Sequence, residues 1–196
     1  MELPDPLKWI IGMTYNTDAT GLPESATRLQ LRVPFVHQQH VNLCGDAAAL
    51  MIAKFWQLDT LVDTSRNPRG AFEGSMVGEH KHISSFGVLN WKREDGPAAA
   101  HRWTAAELRD RLSTHGPLAC ALSHSLTLPV VNVTVAQWGH WIVLIGVDTN
   151  LQSLSYHDPW RGQYRIMSLA DFNFQFDWDD GGEMFRLAGI NNDPEC

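Results

Sequence analysis

The sequence predicts a single α+β domain in which helices come first and strands follow. One apolar helical pattern begins at Cys44 and a second follows Thr104. Beyond residue 117 the chain has short runs rich in Val, Ile, Leu and Tyr, separated by turn residues. Helices and strands segregated along a chain are typical of two packed halves with a cleft between them. A length of 196 residues fits one such domain.

The first part of the chain divides into an arm and a helix. Pro and Gly residues recur through residues 1–30, which are therefore predicted to form an irregular N-terminal arm, and residues 31–196 form the domain. A buried helix of about a dozen residues begins at Cys44, because the apolar residues that follow it have helical spacing. The Gly- and Pro-containing region after it is predicted to be a loop, with a short helix near residues 78–86.

The second helix has a recognisable start and end. Thr104 and Glu107 form a capping box, in which each side chain can bind the other's free backbone N–H. Gly116 and Pro117 should end this helix. After it the pattern predicts strands at about residues 118–123, 130–136, 140–147, 152–157, 163–167 and 184–188.

The charge of the chain is concentrated near its C-terminus. The formal net charge is −7, and the segment 171–196 carries seven acidic residues against Arg186, so residues 1–170 are nearly neutral. With 44% hydrophobic and 19% charged residues the chain can bury a core, which disfavours both a disordered protein and a generic nucleic-acid binder. The acidic C-terminal segment is predicted to be a solvated face, with docking of a basic partner as the alternative.

Cysteine usage and the N-terminus bear on the compartment. Three cysteines, at positions 44, 120 and 196, are too few and odd in number for a disulfide scaffold, so reduced thiols are expected. No Sec-type signal peptide and no run long enough to span a membrane are visible. We therefore expect a cytoplasmic protein or one delivered into a target cell by a non-Sec route.

Cys44 and two downstream residues could form a nucleophilic site. The positive end of a helix stabilises a thiolate, although a single Cys on an apolar helix is more often a buried packing residue. His140 opens an apolar strand and Asp158 ends the next one, so pairing of these strands would bring the carboxylate near the imidazole. Gln38, six residues before Cys44, could donate to an oxyanion. Spaced pairs among the nine His residues are predicted to be surface residues rather than a zinc site.

These residues together resemble a known family. Gln38, a Cys44-Gly-Asp-Ala-Ala helix, Gly139-His140-Trp141 and Asp158-Pro159-Trp160 occur in the order found in papain-fold cysteine peptidases. The closer resemblance is to the C39-like bacteriocin-processing peptidases, and the second is to the C70-type effector peptidases of plant pathogens. The resemblance covers roughly residues 30–173. It implies a papain-like fold in which the helix that carries the nucleophile packs against an antiparallel sheet.

The resemblance also implies roles for individual residues. Trp160 would shield the His–Asp contact from water, and Trp141 would stand with it in the cleft wall. The catalytic roles would be Cys44 as nucleophile, His140 as general base and then acid, Asp158 as the residue that orients His140, and Gln38 as oxyanion donor.

The function expected on this basis is a cysteine endopeptidase that works through a thioester acyl-enzyme. The C39-like resemblance suggests cleavage after small residues such as Gly-Gly. A single catalytic domain suggests a toxin or effector that acts on target-cell proteins and has a cognate immunity protein. No cofactor, metal, nucleic acid or membrane partner is expected. A protein deamidase or transglutaminase would use the same thioester and stays open, as does a silent binding module.

Overall fold

The structure of the protein is a computed structural model that describes residues 27–39, 43–61, 89–94, 102–128, 133–176 and 183–190. Within them lie three α-helices, one 3₁₀ turn and seven strands. The helices are α1 (Cys44–Phe55), α2 (Ala105–His115) and α3 (Leu169–Phe176), and the 3₁₀ turn is Asp59–Leu61. The strands are β1 (Arg28–Gln30), β2 (Leu89–Arg93), β3 (Leu118–Leu128), β4 (Val133–Asp148), β5 (Ser153–Asp158), β6 (Gly162–Ser168) and β7 (Glu183–Ile190).

The seven strands of the described residues form one antiparallel sheet around β4. The order across the sheet is β2-β7-β3-β4-β5-β6, and β1 pairs with the end of β4 beyond β3. This close approach requires a glycine, because a Cβ at Gly146 would lie 2.7 Å from the Leu29 carbonyl oxygen. The result is a mixed α/β protein whose longest strand runs through the middle of the sheet.

The hydrophobic core lies where the helices pack on β4 and β3. Helices α1 and α2 contact β4, and α3 contacts β3. The four residues 142–145 of β4 are almost completely buried, which is why this strand reads as an unbroken apolar run. Met51 and Ile52 of α1 and Phe172 of α3 are fully buried. Burial of side chains of this size contributes about 1.5–3 kcal/mol each.

Helices α1 and α2 agree with the sequence prediction. Helix α1 begins at Cys44 and has twelve residues. In α2 the capping box is formed, since Glu107 N–H donates to the Thr104 hydroxyl and Thr104 N–H donates to the Glu107 carboxylate. Gly116 ends the helix with a φ of +73°, where a Cβ would also meet the Trp56 ring at 2.7 Å.

Three features differ from the prediction. The strands predicted at 130–136 and 140–147 are one strand, because Gly139 stays in the ladder opposite Ser123 instead of turning the chain. The segregation of helices before strands is incomplete, since β1 and β2 precede the β-rich half and α3 lies inside it. The acidic segment 171–196 is more than a solvated face: Phe172 and three residues of β7, Met184, Phe185 and Leu187, belong to the core.

Other predictions fall outside the described residues. These include the loop and short helix before residue 87 and the N-terminal arm up to residue 26. Strand β1 lies at the boundary predicted between arm and domain and is part of the sheet. In the part of the chain that the structure describes, no helix is long and apolar enough to cross a membrane.

Candidate active site

Cys44 is the first residue of α1 and one of two free cysteines in the described part of the chain. Leu43 occupies the N-cap position and offers no side-chain hydrogen bond, so the first-turn N–H groups face outward without an intrahelical acceptor. The helix dipole therefore places partial positive charge beside the partly buried thiol. The other free cysteine, Cys120, is completely buried in β3, and burial raises the pKa of its thiol far above the ordinary value.

His140 connects Cys44 to a carboxylate. Its Nε2–H donates to Asp158 Oδ1 at 2.7 Å, and interaction with the Cys44 side chain helps to raise the pKa of the imidazole. Because Asp158 occupies Nε2, the ring nitrogen left for the thiol is Nδ1. The side chain of His140 is only 13% exposed. Three residues from α1, β4 and the end of β5 thus interact through the His140 imidazole.

Asp158 is fixed by the turn that follows it. The carboxylate is 4% exposed, and Oδ1 accepts hydrogen bonds from the backbone N–H groups of Trp160 and Arg161, both at 2.9 Å. Such an Asx-type turn holds the side chain in one orientation. The Arg161 guanidinium is 3.9 Å from Oδ2 and more than half exposed, so its contribution is small. The turn therefore aims the carboxylate at His140.

The electrostatics of the pair favour charges on both members. Burial by itself raises the pKa of Asp158, but the hydrogen bond from His140 and those from Arg161 and Trp160 outweigh it and lower the pKa to about 2. Burial by itself lowers the pKa of His140, because it disfavours the charged imidazolium. Interactions with Asp158 and Cys44, through hydrogen bonding and charge, outweigh this effect and raise the pKa to about 9. At neutral pH the imidazole is therefore protonated beside a carboxylate and a thiol, the state in which a thiolate is stabilised.

Gln38 lies beside the same turn. Its backbone N–H donates to the Pro159 carbonyl at 3.0 Å, and the residue is 3% exposed, whereas Gln39 is exposed. In the sequence, the six-residue spacing to Cys44 is all that favours Gln38 over the adjacent Gln39 as the oxyanion donor. Burial distinguishes them, because only Gln38 is enclosed next to the Asp158 turn.

The two tryptophans of the prediction have different surroundings. Trp160 is 51% exposed, and its ring stacks on His37 with centroids 6.4 Å apart. Trp141 is 3% exposed and packs on Phe185 of β7 at 5.8 Å. Trp160 thus lies at the surface beside Gln38 and the Asp158 turn, while Trp141 is a core residue of β4.

The described residues do not form a metal-binding cluster. Within the residues described, no group of three or more His, Cys, Asp or Glu side chains could hold a metal ion. Of the spaced histidine pairs, His37 is described and its partner His40 is not.

His157, just before Asp158, is fully buried, and both its ring nitrogens are hydrogen-bonded. Its position in the same His-Asp-Pro-Trp run as Asp158 is a signal for it at the level of sequence.

A thiol at a helix N-terminus, next to an imidazole that a carboxylate holds in place, is the arrangement typical of cysteine hydrolases. The chain matches a family model over residues 27–177, that of the C70 peptidases, described as papain-like cysteine protease AvrRpt2. The protein belongs to this family and is a papain-like cysteine peptidase, a hydrolase. C70 is the second of the two predicted resemblances, and the match does not specifically support the C39-like one.

Proposed function

We propose that the protein is a cysteine endopeptidase whose catalytic triad is Cys44, His140 and Asp158. The observation that carries the proposal is the 2.7 Å hydrogen bond between His140 and Asp158, together with the interaction of the same imidazole with Cys44. The raised pKa of His140 and the lowered pKa of Asp158 add support, because they favour an imidazolium beside the Asp158 carboxylate and the Cys44 thiol. An imidazolium stabilises the thiolate form of a neighbouring cysteine, and the thiolate is the form that attacks a carbonyl.

The reaction follows from this arrangement. The Cys44 thiolate adds to the substrate carbonyl, and the oxyanion that forms is bound by the Cys44 backbone N–H and by the side-chain amide of Gln38. His140 gives its proton to the leaving amine, and the C–N bond breaks to leave a thioester on Cys44. Neutral His140 then takes a proton from water, and the resulting hydroxide displaces the thiolate as the acid product leaves. Asp158 holds the imidazole in one orientation throughout.

A lysate experiment tests this proposal. Wild-type protein and Cys44→Ala are incubated with whole-cell lysate, and new protein N-termini are identified by mass spectrometry. Wild type should create new N-termini and Cys44→Ala none, because no other described thiol contacts an imidazole. Cys120→Ala is the matched control: it removes a buried thiol of raised pKa and should leave the cleavage pattern unchanged.

The same samples distinguish the rival activities. A deamidase would add about one dalton at substrate Gln residues without chain cleavage, since it forms the same thioester and releases ammonia. A transglutaminase would instead create cross-links. Cleavage by Cys44→Ala equal to that by wild type would contradict the assignment of the nucleophile. A binding module would change neither mass nor N-termini.

Cut-site preference and setting are further parts of the proposal. Cleavage after a small-residue pair such as Gly-Gly rests on the C39-like resemblance, and sequencing the cut sites tests it directly. Action on target-cell proteins is supported by membership of an effector peptidase family. Expression of wild type in candidate target cells should be more harmful than expression of Cys44→Ala. A neighbouring gene product that binds and blocks the cleft would be the immunity partner, and harmless expression of active enzyme in every host would argue against this setting.

A further inference from the structure

His157 joins three parts of the chain next to the active site. It lies on β5, and its Nε2–H donates to the Val33 carbonyl at 2.9 Å. Its Nδ1 accepts the backbone N–H of Tyr164, on β6, at 3.1 Å. The residue has no exposed surface. A buried histidine therefore connects the segment before Gln38 to the two strands that flank the Asp158 turn.

The hydrogen bonds of His157 require one protonation state. Val33 can only accept at its carbonyl and Tyr164 can only donate at its N–H, so the ring must be neutral with the proton on Nε2. Burial lowers the pKa of His157, which agrees with this form. The rings of Phe35 and Tyr164 meet the imidazole edge-on, with centroids at 5.6 and 4.8 Å. Unlike His140, this histidine is held in one state rather than prepared to exchange a proton.

The backbone at Tyr164 shows that this contact is specific. Tyr164 has a φ of +52°, a left-handed conformation that residues with a large side chain rarely adopt. Such a conformation persists only where the surroundings hold it. The bond from Tyr164 N–H to His157 and the packing of the two rings do so.

The segment of residues 31–38 is hydrogen-bonded to the sheet and to the Asp158 turn. Leu31 N–H donates to the Ile145 carbonyl at 2.7 Å, Val33 accepts from His157, and Gln38 N–H donates to the Pro159 carbonyl. The first and last attachments are between backbone groups. The middle one uses a side chain and can therefore be removed by substitution.

We propose that His157 is a positioning residue that fixes the 31–38 segment, and with it the oxyanion donor Gln38, relative to the Asp158 turn. This inference rests on the proposed function, because it assigns Gln38 the oxyanion. His157 does not touch the Cys44–His140 pair through either of its hydrogen bonds. Its loss should misplace the oxyanion donor while leaving the thiolate–imidazolium pair intact, and these two effects can be measured separately.

Three substitutions separate the contacts of His157. His157→Leu removes both hydrogen bonds. His157→Asn keeps an acceptor near Nδ1 for Tyr164 but is too short to reach Val33. His157→Gln is long enough to donate to Val33 and to accept from Tyr164, so it should rescue the function.

Two readouts are compared for each variant. The first is turnover of a quenched peptide built on a cut site mapped in the lysate experiment. The second is the rate at which iodoacetamide alkylates Cys44, which reports the thiolate and does not need an oxyanion site. We expect His157→Leu and His157→Asn to lower kcat by about 100-fold, as a displaced oxyanion donor does, with KM and alkylation rate changed less than about threefold. His157→Gln should retain kcat within about fivefold.

A histidine on helix α2 serves as control. His115 ends α2, outside the site, and His115→Leu should leave kcat unchanged. Unchanged kcat in His157→Asn would overturn the inference, as would equal losses in His157→Asn and His157→Gln or a fall in alkylation that parallels the fall in kcat. If His157→Leu does not fold, the comparison of the Asn and Gln variants decides the question by itself. Failure of the proposed function would look different, since either wild type would then create no new N-termini or Cys44→Ala would still cleave.

Discussion

Asp158 and Glu94 are buried carboxylates of the described residues that pair with basic side chains, and the type of basic partner differs between them. Asp158 pairs with His140 at the end of β5, whereas Glu94, which follows β2, pairs with Arg111 of α2 and Arg186 of β7. The Glu94 side chain is 2% exposed and that of Asp158 is 4% exposed, so burial does not distinguish them. The difference lies in the partner.

The partner decides what each carboxylate can do. A guanidinium keeps its proton at any pH that a folded protein tolerates, so Glu94 with its two arginines is a permanent clamp between β2, α2 and β7. An imidazole can release its proton, so Asp158 tunes a group that can act as acid and base. Only the Asp158 cluster also contacts a thiol at a helix N-terminus. Burial of a carboxylate is thus weak information about function, and the identity of its partner is strong information.

Among the changes that test this comparison, Asp158→Asn should have the largest effect on activity. The change keeps the shape of the side chain but removes its charge, so His140 loses a group that raises its pKa. We expect kcat/KM at pH 7 to fall about 100-fold, within the range of general acid–base contributions. The alkaline limb of the pH–rate profile should also move to lower pH, since a less stabilised imidazolium loses its proton earlier. An unchanged profile would contradict the assigned role of Asp158.

A smaller effect is expected from pH alone in the wild-type enzyme. The pKa of His140 is raised from its ordinary value to about 9, so the imidazolium persists through neutral pH and is lost as the pH rises above 9. Peptidase activity at pH 10 should be about tenfold below its plateau, because about one tenth of the histidine then keeps its proton. Far-ultraviolet circular dichroism at each pH would show whether unfolding contributes. A decline centred near pH 6.5 would contradict the ion-pair description.

The smallest effect on activity is expected for Glu94→Gln, the matched carboxylate-to-amide exchange in the other cluster. Activity should change less than about threefold, because Glu94 does not belong to the cluster of Cys44, His140 and Asp158. The free energy of unfolding, measured in urea, should fall by about 2 kcal/mol, since two arginines lose a buried charged partner. The two variants should therefore have opposite profiles, with Asp158→Asn affecting turnover and Glu94→Gln affecting stability. Similar profiles would show that the two clusters are not distinct.

Local patterns predicted some elements well and missed others for identifiable reasons. The capping box at Thr104 and the apolar spacing after Cys44 predict α2 and α1 because those signals lie within one or two turns of chain. Helix α3 carries a similar signal that was overlooked: Asp171 N–H donates to the Ser168 hydroxyl, as in a capping box. Strand β2 was missed although Leu89 and Trp91 alternate with polar residues.

The candidate site also contains residues that sequence patterns indicate and residues that they do not. The residue types, their order and the six- and eighteen-residue spacings suggest Gln38, Cys44, His140 and Asp158 from the sequence alone. His157 was passed over because its partners, Val33 and Tyr164, are 124 and 7 residues away along the chain, and nothing local indicates that they meet. Glu94 was missed for the same reason, since its arginines come from two other elements.

The sequence by itself determined where helix α1 begins, which residue types stand at that point, and which family the chain resembles. These are properties of short segments and of their order. The tertiary structure decided which of two adjacent glutamines is buried, which carboxylate receives an imidazole and which receives arginines, and which histidine is held neutral. The pairing of distant strands sets those outcomes, because a side chain's pKa and hydrogen bonds depend on groups that only the folded sheet brings within about 3 Å.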